Sequence, residues 1–347
     1  MKIIDAHTHV FPQYAHLAVK VMDKCGIECG ITLEWHDGFG ADLKEHIKIF
    51  NQYSGRFIVF GNIDFSKINE KGFAKAAAEQ MEEDVEAGMR GIKIYKSLGL
   101  EYKDGKNKFW RISDERLDPI WAKAAELGIP ILIHTADPAA FWQPVNKNNF
   151  WNKVLCDEYA WWSYYRKKFP CRDELLAQRN EVIKRHVDTI FICPHVGNRA
   201  DTLDLAASDL ETMPNIYYDL SARIPILGLP GKRSQRTKEF LIQYQDRIIF
   251  GTDSIYDDTN ISTGIQAQCL YQPGQIAIGD TDPKDKYIET SVEFAKSNID
   301  FLTTDKIQVN PPFNRNKKGF SIKGVNLLSD VSEKICYYNI KKLLKIK

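Results

Sequence analysis

The chain has 347 residues, of which 44% are hydrophobic, 27% charged and 12% aromatic, an ordinary globular composition with ample length for a large core. Lys and Arg (47) against Asp and Glu (46) leave a formal charge of +1, which excludes the basic field that attracts nucleic acid or an anionic membrane surface. No apolar run approaches the roughly 20 residues that a membrane helix requires, and the first residues lack a signal-peptide pattern.

The expected setting is therefore soluble and cytoplasmic, although a strand starting at residue 2 would also remain after an export signal had been trimmed. Seven cysteines (Cys25, Cys29, Cys156, Cys171, Cys193, Cys269, Cys336) are scattered, odd in number and without a CxxC pair. That usage argues against a disulfide framework and against a thiolate zinc site.

The first predicted strand, 2–8, runs through Ile3-Ile4-Asp5-Ala6-His7-Thr8 into His9. Side chains at i and i+2 share a strand face about 6.6 Å apart, so His7 and His9 can aim two imidazoles at one point. The pair suits half of a metal site and equally a polar strand end. Further strands are predicted at 28–34, 57–63, 90–95, 130–134, 189–194, 215–220 and 247–252, with helices near 14–25, 40–53, 67–87, 114–128, 173–186, 199–209 and 233–245 between them. Gly88 and Gly128 sit where helices should end, and Pro130 bars helical continuation into Ile131-Leu132-Ile133.

Eight such units predict an α/β fold of the (β/α)8 TIM barrel type. An open doubly wound sheet is the alternative, but no G-x-G-x-x-G or Walker pattern accompanies it. Two stretches break the repeat and read as elaborations of a single 1–347 domain. Residues 136–172 form an insertion after strand 5 rich in aromatics (Phe141, Trp142, Phe150, Trp151, Tyr159, Trp161, Trp162, Tyr164, Tyr165). Residues 254–347 form a C-terminal extension with helices near 287–302 and 328–345 and a Pro311-Pro312 turn.

Barrel active sites are built at the C-terminal strand ends, and ligand-type residues recur there. His134 ends the fifth strand, His195 follows the sixth, Asp253 follows the eighth and Lys93 lies in the fourth. The other histidines, His16, His36, His46 and His186, fall in helix or loop patterns. Arg223, just past strand seven, suits a substrate carboxylate or a surface ion pair. Tyr95 and Lys96 can reach the same mouth. Trp142 and its neighbours suit a wall over the site, a satellite cluster or a contact in a homo-oligomer.

The ordered set His7-x-His9, His134, His195 and Asp253 resembles the metal-dependent amidohydrolase superfamily. Arg247-Ile-Ile-Phe-Gly-Thr-Asp253 and Ile335-Cys-Tyr-Tyr-Asn-Ile-Lys-Lys-Leu-Leu344 resemble its amidohydrolase 2 branch, which also holds aminocarboxymuconate-semialdehyde decarboxylase. The resemblance implies that His7, His9, His134 and Asp253 bind one divalent metal, zinc first with manganese or another ion also compatible. It implies Asp253 and His195 as catalytic groups, and Lys93 either as a carbamylated bridge between two metals or as an unmodified lysine holding a carboxylate or substrate anion. The implied reaction is hydrolysis of an amide, ester or lactone of a small molecule. The alternative is non-oxidative decarboxylation of an aromatic or unsaturated acid, and a non-catalytic binding barrel is the third reading.

Overall fold

The computed structural model describes residues 1–33, 39–156, 160–264, 282–312 and 319–346. His36, Tyr159, Cys269 and the Glu34 end of the second predicted strand lie outside the described residues.

Nine parallel strand segments make one sheet: β1 (Ile4–Val10), β2 (Cys29–Leu33), β3 (Phe57–Asn62), β4 (Gly91–Ile94), β5 (Ile131–Ile133), β6 (Phe191–Cys193), β7 (Ile216–Asp219), β8 (Ile248–Ile249) and β9 (Ser254–Tyr256). Their order is β8-β7-β6-β5-β4-β3-β2-β1-β9. β8 and β9 are the two halves of the expected eighth strand. β8 pairs with β7, Phe250 O accepts from the Ala6 N–H at 3.0 Å, Asp253 N–H donates to His7 O at 2.7 Å, and β9 pairs with β1. The ring closes through this break, giving a (β/α)8 barrel. A Cβ on Gly251 would come within 2.8 Å of His7 Cβ, so only glycine lets the interrupted strand pass this close to β1.

The expected helices lie outside the ring: α1 (Ala15–Cys25), α2 (Gly40–Asn51), α3 (Phe73–Ala87), α4 (Asp118–Leu127), α5 (Arg172–Arg185), α6 (Leu203–Thr212) and α7 (Lys232–Gln243). Gly128 caps α4 in the left-handed region at φ 65°, as its place before Pro130 predicts. The helix expected over 67–87 starts only at Phe73, because a 3-10 turn at Phe65–Lys67 and Gly72 at φ 82° occupy its front.

Alternation sorts each strand. Ile92, Ile94, Ile131, Ile133, Phe191, Cys193, Ile216, Tyr218, Ile248 and Phe250 join the shell between sheet and helices, whereas Ile31, Leu33, Phe60, Leu132, Ile192 and Ile249 fill the barrel interior. By the same period Lys93 and Asp219 take the interior face. β1 departs from strict alternation. Its register with β2 shifts between Asp5 and Thr8, so Ile4 and Ala6 fill the interior below while His7 and His9 face inward above. Asp5, Thr8 and Val10 turn instead to a cavity of about 10 Å³ that Ala18, Val21 and Met22 of α1 also line.

After β5, Phe141, Trp151, Trp162 and Tyr164 pack on one another and on the shell. The C-terminal part contributes α8 (Pro283–Thr303) against α1, and an unexpected antiparallel pair, Ile307–Val309 with Ser321–Lys323. It ends in a helical stretch from Ser329 to Leu343 whose Tyr337 and Ile340 plug the barrel floor. That stretch was expected as one regular helix, yet Lys334–Tyr338 adopts π geometry. Ile335 O accepts from the Phe250 N–H at 2.9 Å, which takes a carbonyl from the helical ladder. Among the described residues no helix is long and apolar enough to cross a membrane.

Candidate active site

The strand ends bring His7, His9, Lys93, His195 and Asp253 together at the barrel mouth, all buried. His7 Nε2 and His9 Nε2 each lie 3.3 Å from the same oxygen, Asp253 Oδ1. The three ligand-type atoms fall within 4.8 Å of one another.

Their hydrogen bonds fix which nitrogen carries a proton. His7 Nδ1 lies 2.7 Å from the Asp219 carboxylate and His9 Nδ1 lies 3.1 Å from the Leu33 carbonyl, partners that only accept. Each ring therefore donates from Nδ1 and, when neutral, turns its Nε2 lone pair toward Asp253. Burial pushes the Asp253 carboxyl up, but the His7 and His9 imidazoles outweigh it and hold the group well below the usual carboxylate range. Burial and the neighbouring cations lower His9 to about 4, so it stays neutral. For His7, burial lowers the pKa, yet Asp219 and Asp253 reverse it and raise the value. Two lone pairs and an anion thus converge with no proton between them once both rings are neutral. That donor set fits a divalent cation.

His134 lies beside this trio rather than within it. Its ring packs edge-on to His195 with centroids 4.6 Å apart, and His195 lies 5.2 Å from His7. His134 Nε2 is buried without a hydrogen-bond partner, which suits an unfilled ligand role. Burial drives both His134 and His195 well below the usual histidine range, so both are neutral. His195 Nδ1 donates to Ser221 O at 2.9 Å, leaving its Nε2 lone pair free for chemistry.

Lys93 is buried, with its ammonium 5.2 Å from the Tyr95 ring centroid. Burial lowers its pKa to about 8 against the opposing pull of Asp253 and Asp219. No carboxylate pairs with it among the described residues, so the expected ion pair is not the one it makes here. The Tyr95 ring lies 6.3 Å from that of His9. Arg223 is also buried rather than in a surface ion pair, donating to Ala222 O at 3.1 Å and Asn198 Oδ1 at 2.8 Å. The Trp142 indole donates to Pro170 O and its ring packs on Tyr164, whose hydroxyl donates to Asp137.

Asp5, Asp219, Ser221 and Asn198 belong to the site without having been expected there. Asp5 accepts from the His7 N–H and from both the N–H and hydroxyl of Thr252, tying β1 to the break in the eighth strand. Asn198 donates to Thr135 O and Ala136 O while accepting from Arg223. One signal was available: Asp219, like His134, is a polar residue ending an apolar strand. The backbone is unusual along the same arc. Ala136, His195, Val196, Asn198, Ala222 and Asp253 all have φ between 54° and 69°.

Three solved structures share this fold over nearly their whole length. They are a 2,6-dihydroxybenzoate decarboxylase with its ligand (TM-score 0.53, 14% identity, 100% of each chain) and a protein described as a 2-pyrone-4,6-dicarboxylic acid hydrolase from Acinetobacter baumannii with citric acid bound (0.54, 11%, 100% of each). The third is a 5-carboxyvanillate decarboxylase from Novosphingobium aromaticivorans with bound manganese (0.51, 12%, 99% and 97%). At such identities they establish the fold alone. No curated protein matches the chain. The family model described as Amidohydrolase matches residues 68–272, more than half of the sequence, and with that the chain belongs to the amidohydrolase family, in its amidohydrolase 2 branch.

Proposed function

We propose that this chain is a metal-dependent hydrolase acting on an amide, ester or lactone carbonyl of a small anionic substrate. The convergence of His7 Nε2, His9 Nε2 and Asp253 Oδ1 on one point carries this reading. These three, with His134 as the fourth residue, would hold one divalent cation, zinc first and manganese as the other candidate. Such a cation supplies Lewis acidity, polarising a carbonyl and bringing the pKa of water to about 7.

Asp253 accepts the proton of the attacking water and returns it to the leaving group. His195 is neutral with its lone pair on Nε2, so it orients the nucleophile by accepting a hydrogen bond rather than by donating one to the substrate. Arg223, with two of its donors already used, offers the remainder to a substrate carboxylate, and the buried Lys93 adds positive potential on the other side of the mouth. Tyr95 would line the space between Lys93 and His9.

A second reading rests on Lys93, whose buried ammonium lacks a carboxylate partner among the described residues and would equally receive the carboxylate lost in a non-oxidative decarboxylation. The test is a panel of esters, lactones and amides beside aromatic and muconate-type acids, followed by acid release and by carbon dioxide release. Acid release that stops on chelation and returns with zinc or manganese supports the hydrolase. Carbon dioxide release alone selects the decarboxylase, and activity indifferent to chelation overturns both.

A further inference from the structure

His7 comes from β1 and His195 from the turn after β6, yet one short turn after β7 holds both. Asp219 ends β7 and is wholly buried. Its Oδ2 accepts from His7 Nδ1 at 2.7 Å, and its Oδ1 accepts from the backbone N–H of His195 at 2.8 Å, the N–H of Ser221 at 3.0 Å and the Ser221 hydroxyl at 2.5 Å. Two residues on, the Ser221 carbonyl accepts from His195 Nδ1 at 2.9 Å. Ser221 Oγ also lies 2.8 Å from His195 Nδ1 and 3.1 Å from His7 Nδ1.

We infer that Asp219 and Ser221 are positioning residues that lock His7 and His195 in the Nδ1–H form, and that Asp219 thereby sets the cation affinity of the site. The inference rests on the metal reading above for its second half only. A neutral imidazole has a single N–H, and a partner that can only accept holds that proton on the nitrogen facing it. For His7 the partner is a carboxylate and for His195 a backbone carbonyl. The Ser221 hydroxyl spends its proton on Asp219, so toward both rings it too can only accept. His7, His195 and Asp219 also present three ligand-type atoms close together. The serine hydroxyl among them and the donor role of both Nδ1 atoms make that group a hydrogen-bond network rather than a second cation site.

The requirement for a carboxylate rather than a carboxamide follows from the same contacts. In Asp219→Asn the side chain would keep a carbonyl oxygen for the His195 and Ser221 amides but turn an NH2 toward His7 Nδ1. His7 would then accept there and move its own proton to Nε2, into the space that the cation needs. Removing a carboxylate behind a ligating histidine typically weakens metal binding about 10- to 100-fold.

The experiment compares wild type, Asp219→Asn and Ser221→Ala. Long-range 1H–15N spectra of 15N-histidine-labelled, metal-free protein at alkaline pH read the His7 and His195 tautomers, and zinc competition against a chromophoric chelator reads affinity. Wild type should show Nδ1–H at both rings. Asp219→Asn should move the His7 proton to Nε2 and weaken zinc about 10- to 100-fold, while Ser221→Ala should leave the His195 tautomer unchanged because the carbonyl remains. An Nε2–H signal for His7 in wild type overturns the lock even if the variant does not fold. A tautomer switch with unchanged zinc affinity overturns the coupling. If the tautomer switches but neither protein takes up zinc, the lock stands and the metal reading falls.

Discussion

Lys96 Nζ sits 2.7 Å from Asp137 Oδ2, and the Tyr164 hydroxyl donates to that same oxygen at 2.9 Å. The pair joins the end of β4 to the aromatic segment after β5, and Lys96 also lies 4.6 Å over the Trp162 ring. Asp137→Ala strands a largely buried ammonium and should cost roughly 1–3 kcal/mol, less than a fully buried pair because Lys96 keeps part of its hydration. Tyr164→Phe removes one hydrogen bond to a charged group and should cost about 1–2 kcal/mol. Denaturant midpoints test both. Faster proteolysis between residues 139 and 170 in Asp137→Ala would show the segment released, and equal rates would reject the latch.

His7→Ala should abolish stoichiometric zinc or manganese while the barrel stays folded, because Asp219, its buried partner, keeps the His195 and Ser221 donors. Metal analysis beside far-UV circular dichroism decides it. Bound metal at full stoichiometry would remove His7 from the ligand set. Asp253→Asn should lower kcat by about 10²- to 10⁴-fold as a lost general base.

Chelation should lower the thermal midpoint of the holoprotein, since a ligand of the native state alone stabilises it by about 2.7 kcal/mol at 100 times its dissociation constant. Zinc added back should restore the midpoint in wild type and not in His7→Ala. A midpoint indifferent to both additions counts against a resident cation.

Asp84, on α3, gives a pH signature remote from the site. Burial pushes its carboxyl up to about 6 despite hydrogen bonds from Gln80 and the Gly40 amide. Its folded pKa exceeds its unfolded one, so the unfolded state releases the proton first. Stability falls as pH rises from about 4 to about 6 and then levels off. Asp84→Asn keeps the accepting oxygen and should gain on the order of 1 kcal/mol over wild type at pH 8, with no gain at pH 3.5. Parallel midpoints at the two pH values would reject the assignment.

The barrel was readable because its strands are apolar runs of the right length, and the inward placement of Lys93 follows from Ile92 and Ile94 on either side of it. His7 and His9 share a face as their spacing requires. The register shift that sets Ala6 and His7 both inward was not readable, since it depends on pairing with β2. The break of the eighth strand was equally hidden, because Gly251 is required by the proximity of His7 rather than by its neighbours in sequence. Asp219 escaped for a related reason. An aspartate at a strand end is ordinarily solvated, and only the fold brings His7 from 212 residues away onto its carboxylate.

The left-handed residues at the ends of β5 to β8 carry a consequence for evolution of the fold. A non-glycine side chain in that conformation costs on the order of 1 kcal/mol or more, and β1, β3 and β4 end without one. One arc of the mouth is thus a spring held wound by its neighbours, and His195 and Asp253 are both coils of it. Replacing either with glycine would relax the backbone, so an aspartate at 253 and a histidine at 195 each carry a cost in stability that glycine at the same place would not.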